Sequence, residues 1–109
     1  MHKGEIPPGT LHILILRTLA RGGKLHGFEI AKSIERVSEE VLRVEEGSLY
    51  PALQRLLIKG WVKAQWGVTA ENRRARYYEL TDDGCKQLET EVSDFKRVMA
   101  AVARVIQTA

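Results

Sequence analysis

The stretch GSLYPALQRLLIKGW, Gly47 to Trp61, decides how the rest of the chain is read. Leu49, Leu53, Leu56 and Leu57 recur at helical spacing and predict a helix from Ser48 to Lys59 with one leucine-lined face. Pro51 fits such a helix in its first turn, where backbone N–H groups lack intrahelical partners. Gly60 ends it. Gly47, Pro51, Gln54 and Arg55 lie away from the leucines, with Ser48 and Tyr50 at the two margins of the stripe. The outer face is therefore rich in hydrogen-bonding groups.

Beyond this helix the pattern changes to alternation. Trp61 to Trp66 places Val62, Ala64 and Trp66 on one side and Trp61, Lys63 and Gln65 on the other. Arg76 to Thr81 reads as a second strand, with Tyr78 expected in the core and Tyr77 at the surface. The polar connector from Gly67 to Ala75 makes the pair a hairpin with an extended basic tip, since it holds Arg73 and Arg74. Thr81 can cap a last helix, with Asp82 and Asp83 facing its N-terminal dipole. In that helix Cys85, Leu88, Val92, Phe95, Met99, Val102 and Ile106 follow a spacing of 3, 4, 3, 4, 3, 4. This is the seam of a helix that packs along another helix. A helix of about 25 residues reaches roughly 37 Å, beyond what a small body can cover, so the seam predicts a dimerisation arm. Cys85 on that seam is expected to be a small buried filler.

On the N-terminal side, Thr10 is the expected cap of a helix from Leu11 to Arg21. Leu11, Leu14, Ile15 and Leu19 share one face, and Ile13, Leu16 and Ala20 a second. A helix this apolar is buried on more than one side, and a partner chain is the expected second cover. Arg21 to Lys24 breaks it. A second helix from Gly27 to Val37 carries Phe28, Ile30, Ala31 and Ile34 as its inner face, with His26 as its cap. Residues 1–9, with Gly4, Pro7, Pro8 and Gly9, read as a flexible lead-in.

Composition narrows the function. The 109 residues allow one domain, and 44% hydrophobic with 28% charged is a globular balance. No apolar run approaches the roughly 20 residues of a membrane span, and the expected compartment is the cytoplasm. His2, His12, His26 and the single Cys85 show no metal-ligand spacing, and no nucleophile stands beside a base. Neither an enzyme, a metal nor a cofactor is expected. The net charge is only +3, but residues 61–81 hold 4 basic against 2 acidic residues, the densest positive excess in the chain.

The order helix–helix–helix–hairpin–helix with a basic hairpin is that of a winged helix-turn-helix, a mainly α fold with one β-hairpin. In that arrangement the third helix enters the DNA major groove and the wing reaches flanking backbone. Gln54 and Arg55 are side-chain types that read base edges, while Ser48 and Tyr50 suit phosphate oxygens. Arg73, Arg74 and Arg76 supply charge for phosphates or a narrow minor groove.

The segments HGFEIA (His26 to Ala31), GSLYPALQRL (Gly47 to Leu56), GWVKAQWG (Gly60 to Gly67) and NRRARYYELT (Asn72 to Thr81) together resemble the PadR family of transcriptional regulators. The resemblance implies a homodimeric repressor of a pseudo-palindromic operator, released by a small aromatic or hydrophobic effector, with a single C-terminal helix as in the family's short branch. It places Ser48, Tyr50, Gln54, Arg73, Arg74 and Arg76 at the DNA, and the outer face of the helix adds Pro51 and Arg55 to the expected DNA-binding set. Leu11, Ile13, Leu16, Leu88, Val92, Phe95, Met99, Val102 and Ile106 are expected at the dimer interface. Trp61, Phe95 and Met99 are candidates for holding the effector. The expected division is a lead-in over 1–9, a DNA-binding domain over 10–81 and a dimerisation helix over 82–109. The alternative is a winged-helix module that binds protein and lacks specific DNA binding.

Overall fold

A computed structural model of the chain describes residues 4–7 and 9–108; residues 1–3, Pro8 and residue 109 lie outside it, and with them His2 and part of the expected lead-in. The elements run α1 (Leu11–Gly22), β1 (Leu25–His26), α2 (Gly27–Val37), α3 (Glu46–Ile58), β2 (Val62–Val68), β3 (Arg74–Leu80) and α4 (Asp82–Gln107). The strands form one antiparallel sheet in the order β1-β3-β2. Three helices, a hairpin and a long last helix match the winged helix-turn-helix expectation.

Local chemistry sets the joints. α1 ends at Gly23, whose positive φ of 78° glycine adopts freely. α2 opens with a reciprocal cap in which the Glu29 N–H donates to His26 Nδ1 (3.4 Å) and the His26 N–H donates to Glu29 Oε1 (3.0 Å). Thr81 caps α4 by accepting from the Gly84 N–H (3.0 Å) and donates its hydroxyl proton to the Gly60 carbonyl (2.6 Å). That pair of bonds ties the start of α4 to the end of α3.

The core lies where α1, α2 and α3 meet the base of the hairpin. Ile15, Leu16 and Leu19 pack with Ile30, Leu49, Leu53 and Leu56, and with Val62, Tyr78 and Leu88 from the later elements. Burying each such side chain stabilises the fold by about 1.5–3 kcal/mol. α4 folds its first turns back onto the body, where Glu91 Oε2 meets His12 Nε2 of α1 at 3.4 Å. The rest projects, and the molecule measures 57 × 30 × 21 Å.

Several sequence expectations are corrected. Leu16 is 0% exposed and Leu88 is buried, so both belong to the chain's own core, not to a face left open for a partner. The reason is α4, which lies across α1 and supplies the second cover from within the chain. Phe28, expected inside α2, is 63% exposed, because Gly27, Ile30 and Ile34 form the inner edge. Cys85 is exposed: α4 docks through Gly84 and Leu88, which turns the first residue of the seam outward. α3 begins at Glu46, so Pro51 stands in its second turn and leaves the Gly47 carbonyl without its usual donor. Thr10 holds the cap position of α1 without a side-chain bond. The strands extend two residues further than expected, and only residues 69–73 form the hairpin tip. β1 has no counterpart among the expected elements, since two residues carry no readable period.

Gly84 marks the tightest approach in the fold. A Cβ there would be driven into the carbonyl oxygen of Trp61, a backbone atom that has no room to retreat. Gly84→Ala should therefore destabilise the protein by at least about 2 kcal/mol in urea denaturation. An unchanged midpoint would show that α4 does not rest on the Trp61 backbone.

Candidate nucleic-acid interface

The leucine stripe that buries one side of α3 leaves Gly47, Ser48, Tyr50, Pro51, Gln54 and Arg55 exposed on the other. The hairpin meets this face through a continuous row of side chains. Alternation puts Val62, Ala64, Trp66 and Val68 of β2 on one side with Leu80, Tyr78, Arg76 and Arg74 of β3, in the register Val62↔Leu80, Ala64↔Tyr78, Trp66↔Arg76 and Val68↔Arg74. At the base the row is core. Further out, past the helices, the same row becomes the wall of a groove of about 800 Å³.

The groove gathers Tyr50 of α3, Arg73, Arg74 and Arg76 of the hairpin, Trp66, and Phe28 of α2. No ion pair engages any of the three arginines among the described residues. Arg74 lies over the Trp66 ring, 4.5 Å from its centroid. The tip is held by the Thr69 N–H donating to Arg73 O (2.8 Å) and the Asn72 N–H donating to Thr69 O (2.9 Å), with Asn72 at φ 62°. Outside the groove lining, Lys32 Nζ stands 5.5 Å from the Phe28 ring centroid.

Tyr50 is positioned by a glycine. Its hydroxyl and ring lie where a Cβ of Gly27 would fall, at 2.6 Å and 2.9 Å. Burial against α2 pushes the Tyr50 phenol above its ordinary pKa, with the Glu46 carboxylate and Tyr78 adding to the shift. The phenol therefore stays protonated and able to donate. His26, besides capping α2, sets its ring edge-on to Tyr77 of β3 at 5.4 Å, joining α2 to the hairpin.

The expected site residues divide between two surfaces. Tyr50, Arg73, Arg74 and Arg76 share the groove, whereas Ser48, Pro51 and Arg55 line a second cleft on the far side of α3, closed by residues 4–7 and Gly9. Gln54 is exposed between them. Sequence reasoning misses Phe28 and Trp66. Phe28 and Trp66 read as packing residues because an apolar side chain at helical or strand spacing gives no sign of which neighbour covers it. Trp61, Phe95 and Met99 do not meet within one chain: Trp61 touches α4 at Gly84, and Phe95 lies eleven residues on, about 16 Å along the helix.

A helical trio with a basic wing folded over its third helix defines a winged helix-turn-helix protein. A family model described as "Transcriptional regulator PadR-like family" matches residues 15–90, and the chain belongs to that family. Among solved structures, a transcriptional regulator from Clostridium thermocellum is 26% identical with a TM-score of 0.82, covering 91% of this chain and 95% of that one. A PadR family regulator from Clostridium difficile is 28% identical with a TM-score of 0.74, covering 90% and 99%. PadR of Bacillus subtilis, solved in complex with operator DNA, is 24% identical with a TM-score of 0.67, covering 79% of this chain and 48% of its own. No helix among the described residues is long and apolar enough to cross a membrane.

Two glycines on this face should respond oppositely. Gly27→Ala displaces the Tyr50 ring and should cost about 1–3 kcal/mol of stability. At Gly47 an added methyl would meet nothing within 4 Å, so Gly47→Ala should stabilise by up to about 1 kcal/mol through helix propensity. Urea titrations of the two variants check both; equal effects would show that the Gly27–Tyr50 contact has room to relax.

Proposed function

We propose that the protein is a homodimeric repressor that binds double-stranded DNA at a pseudo-palindromic operator in the cytoplasm and is released by a small aromatic or hydrophobic effector. The observation that carries the DNA reading is the convergence of Tyr50 and three arginines without ion-pair partners among the described residues on one groove beside the exposed face of α3. The Bacillus subtilis relative solved with operator DNA supports it. In this reading α3 lies in the major groove. Gln54 and Arg55 face base edges, and Pro51 gives apolar contact. Ser48 and Tyr50 donate to phosphates, and Arg73, Arg74 and Arg76 neutralise backbone along the wing.

Dimerisation rests on α4. Phe95, Met99, Val102 and Ile106 form an exposed apolar row on the projecting half of the helix, with Val92 at its inner end and Leu11 and Ile13 half-buried on α1. A two-fold dimer would set two groove helices about one DNA turn apart, roughly 34–36 Å. An effector that prefers a dimer with another separation would release the operator. Trp61 could join Phe95 and Met99 in such a site only across the dimer, where the arm of one protomer reaches the body of the other.

Fluorescence anisotropy on DNA from upstream of the protein's own gene, against a random duplex of equal length at two salt concentrations, tests the reading. Tighter, salt-sensitive binding to the upstream duplex is expected; equal weak binding to both would favour a protein-binding module. Arg73→Ala with Arg76→Ala should flatten the slope of log affinity against log salt by about 2, one for each lost phosphate contact. An unchanged slope would take the wing off the DNA. For the dimer, Phe95→Glu should give monomers in sedimentation, and a persistent dimer would place the interface elsewhere.

A further inference from the structure

Trp66 is an indole at the outer end of a hairpin, 56% exposed, where the core can no longer use it. Its face is instead covered by Arg74, which reaches diagonally across the hairpin because Trp66 pairs with Arg76 and Val68 with Arg74. The guanidinium carbon is 4.5 Å from the indole centroid, a cation–π contact, and a guanidinium held over a ring in this way keeps N–H groups available at its edge. Those donors are what a phosphate takes up in pairs.

We infer that Trp66 is a positioning residue for DNA binding: it holds Arg74 against the inner wall of the wing so that the guanidinium edge meets a DNA backbone phosphate. The inference rests on the DNA-binding reading above and deepens it. An unsupported arginine beside a loop samples many rotamers and loses that freedom when it docks. The indole restricts Arg74 before DNA arrives, so less is lost on binding. Arg73, in the tip, has no such shelf, and Arg76 lies deeper in the row opposite Trp66. The geometry therefore separates one arginine of the three as preorganised.

A double-mutant cycle decides it, using a random-sequence duplex as probe, because a phosphate contact is blind to sequence. Trp66→Leu keeps an apolar cover but removes the aromatic face, while Trp66→Phe keeps a smaller one. Trp66→Leu should weaken binding about two- to fivefold, with Trp66→Phe between it and wild type. Trp66→Leu added to Arg74→Ala should cause no further loss, since an empty shelf has nothing to hold. Thermal melts of each variant establish that the fold is retained. Unchanged affinity of a folded Trp66→Leu would overturn the inference, as would a loss that adds in full to that of Arg74→Ala. Wild-type protein that binds neither the random nor the upstream duplex would bring down the DNA-binding reading and this inference with it. Wild-type binding with an indifferent Trp66 would remove the inference alone.

Discussion

The period-two face of the hairpin is the constraint on which the rest of the structure depends. Side chains of a strand alternate, so the register that sends Tyr78 into the core also sends Arg76 and Arg74 into the groove. A slip of one residue would put Tyr77 in the core and turn both arginines to the other side. Two neighbours resist that slip, β2 on one edge of β3 and the short β1 on the other. Core and candidate site are thus two ends of one row, and the buried end orients the exposed one.

Two close approaches then fix the helices against this hairpin. Gly84 lets α4 cross the Trp61 backbone, and Gly27 makes room for the Tyr50 ring against α2. Both joints work because a side chain is missing, which allows contact closer than any larger residue permits. The first sets the direction of the projecting arm. The second sets the start of α3 relative to α2, with His26 linking α2 onward to Tyr77. Gly67 serves the hairpin in the same way, since the Tyr77 ring lies where its Cβ would be.

Much of this is legible from residue order. The leucines of α3, the alternation of the hairpin, the burial of Tyr78 and the Thr81 cap each follow from local periodicity or a side chain bonding its own backbone. The polar outer face of α3 is legible for the same reason, as the complement of the leucine stripe. Failures cluster where the neighbour matters. Leu16 and Leu88 read as interface residues, yet α4 folds back and encloses them. Cys85 and Phe28 read as members of apolar faces and stand exposed because the docking contacts fall on adjacent glycines, Gly84 and Gly27.

The sequence by itself determined the order and type of the main elements, most of their apolar faces, helix ends to within a few residues, and that positive charge is concentrated around the hairpin. Those properties depend on the fixed periods of helix and strand and on groups a few residues apart. The tertiary structure alone decided which faces were covered from within the chain, and which cations gathered around Tyr50. It also placed Trp66 beneath Arg74. Such contacts join residues whose distance in space has no relation to their spacing in the chain, and only packing brings them together.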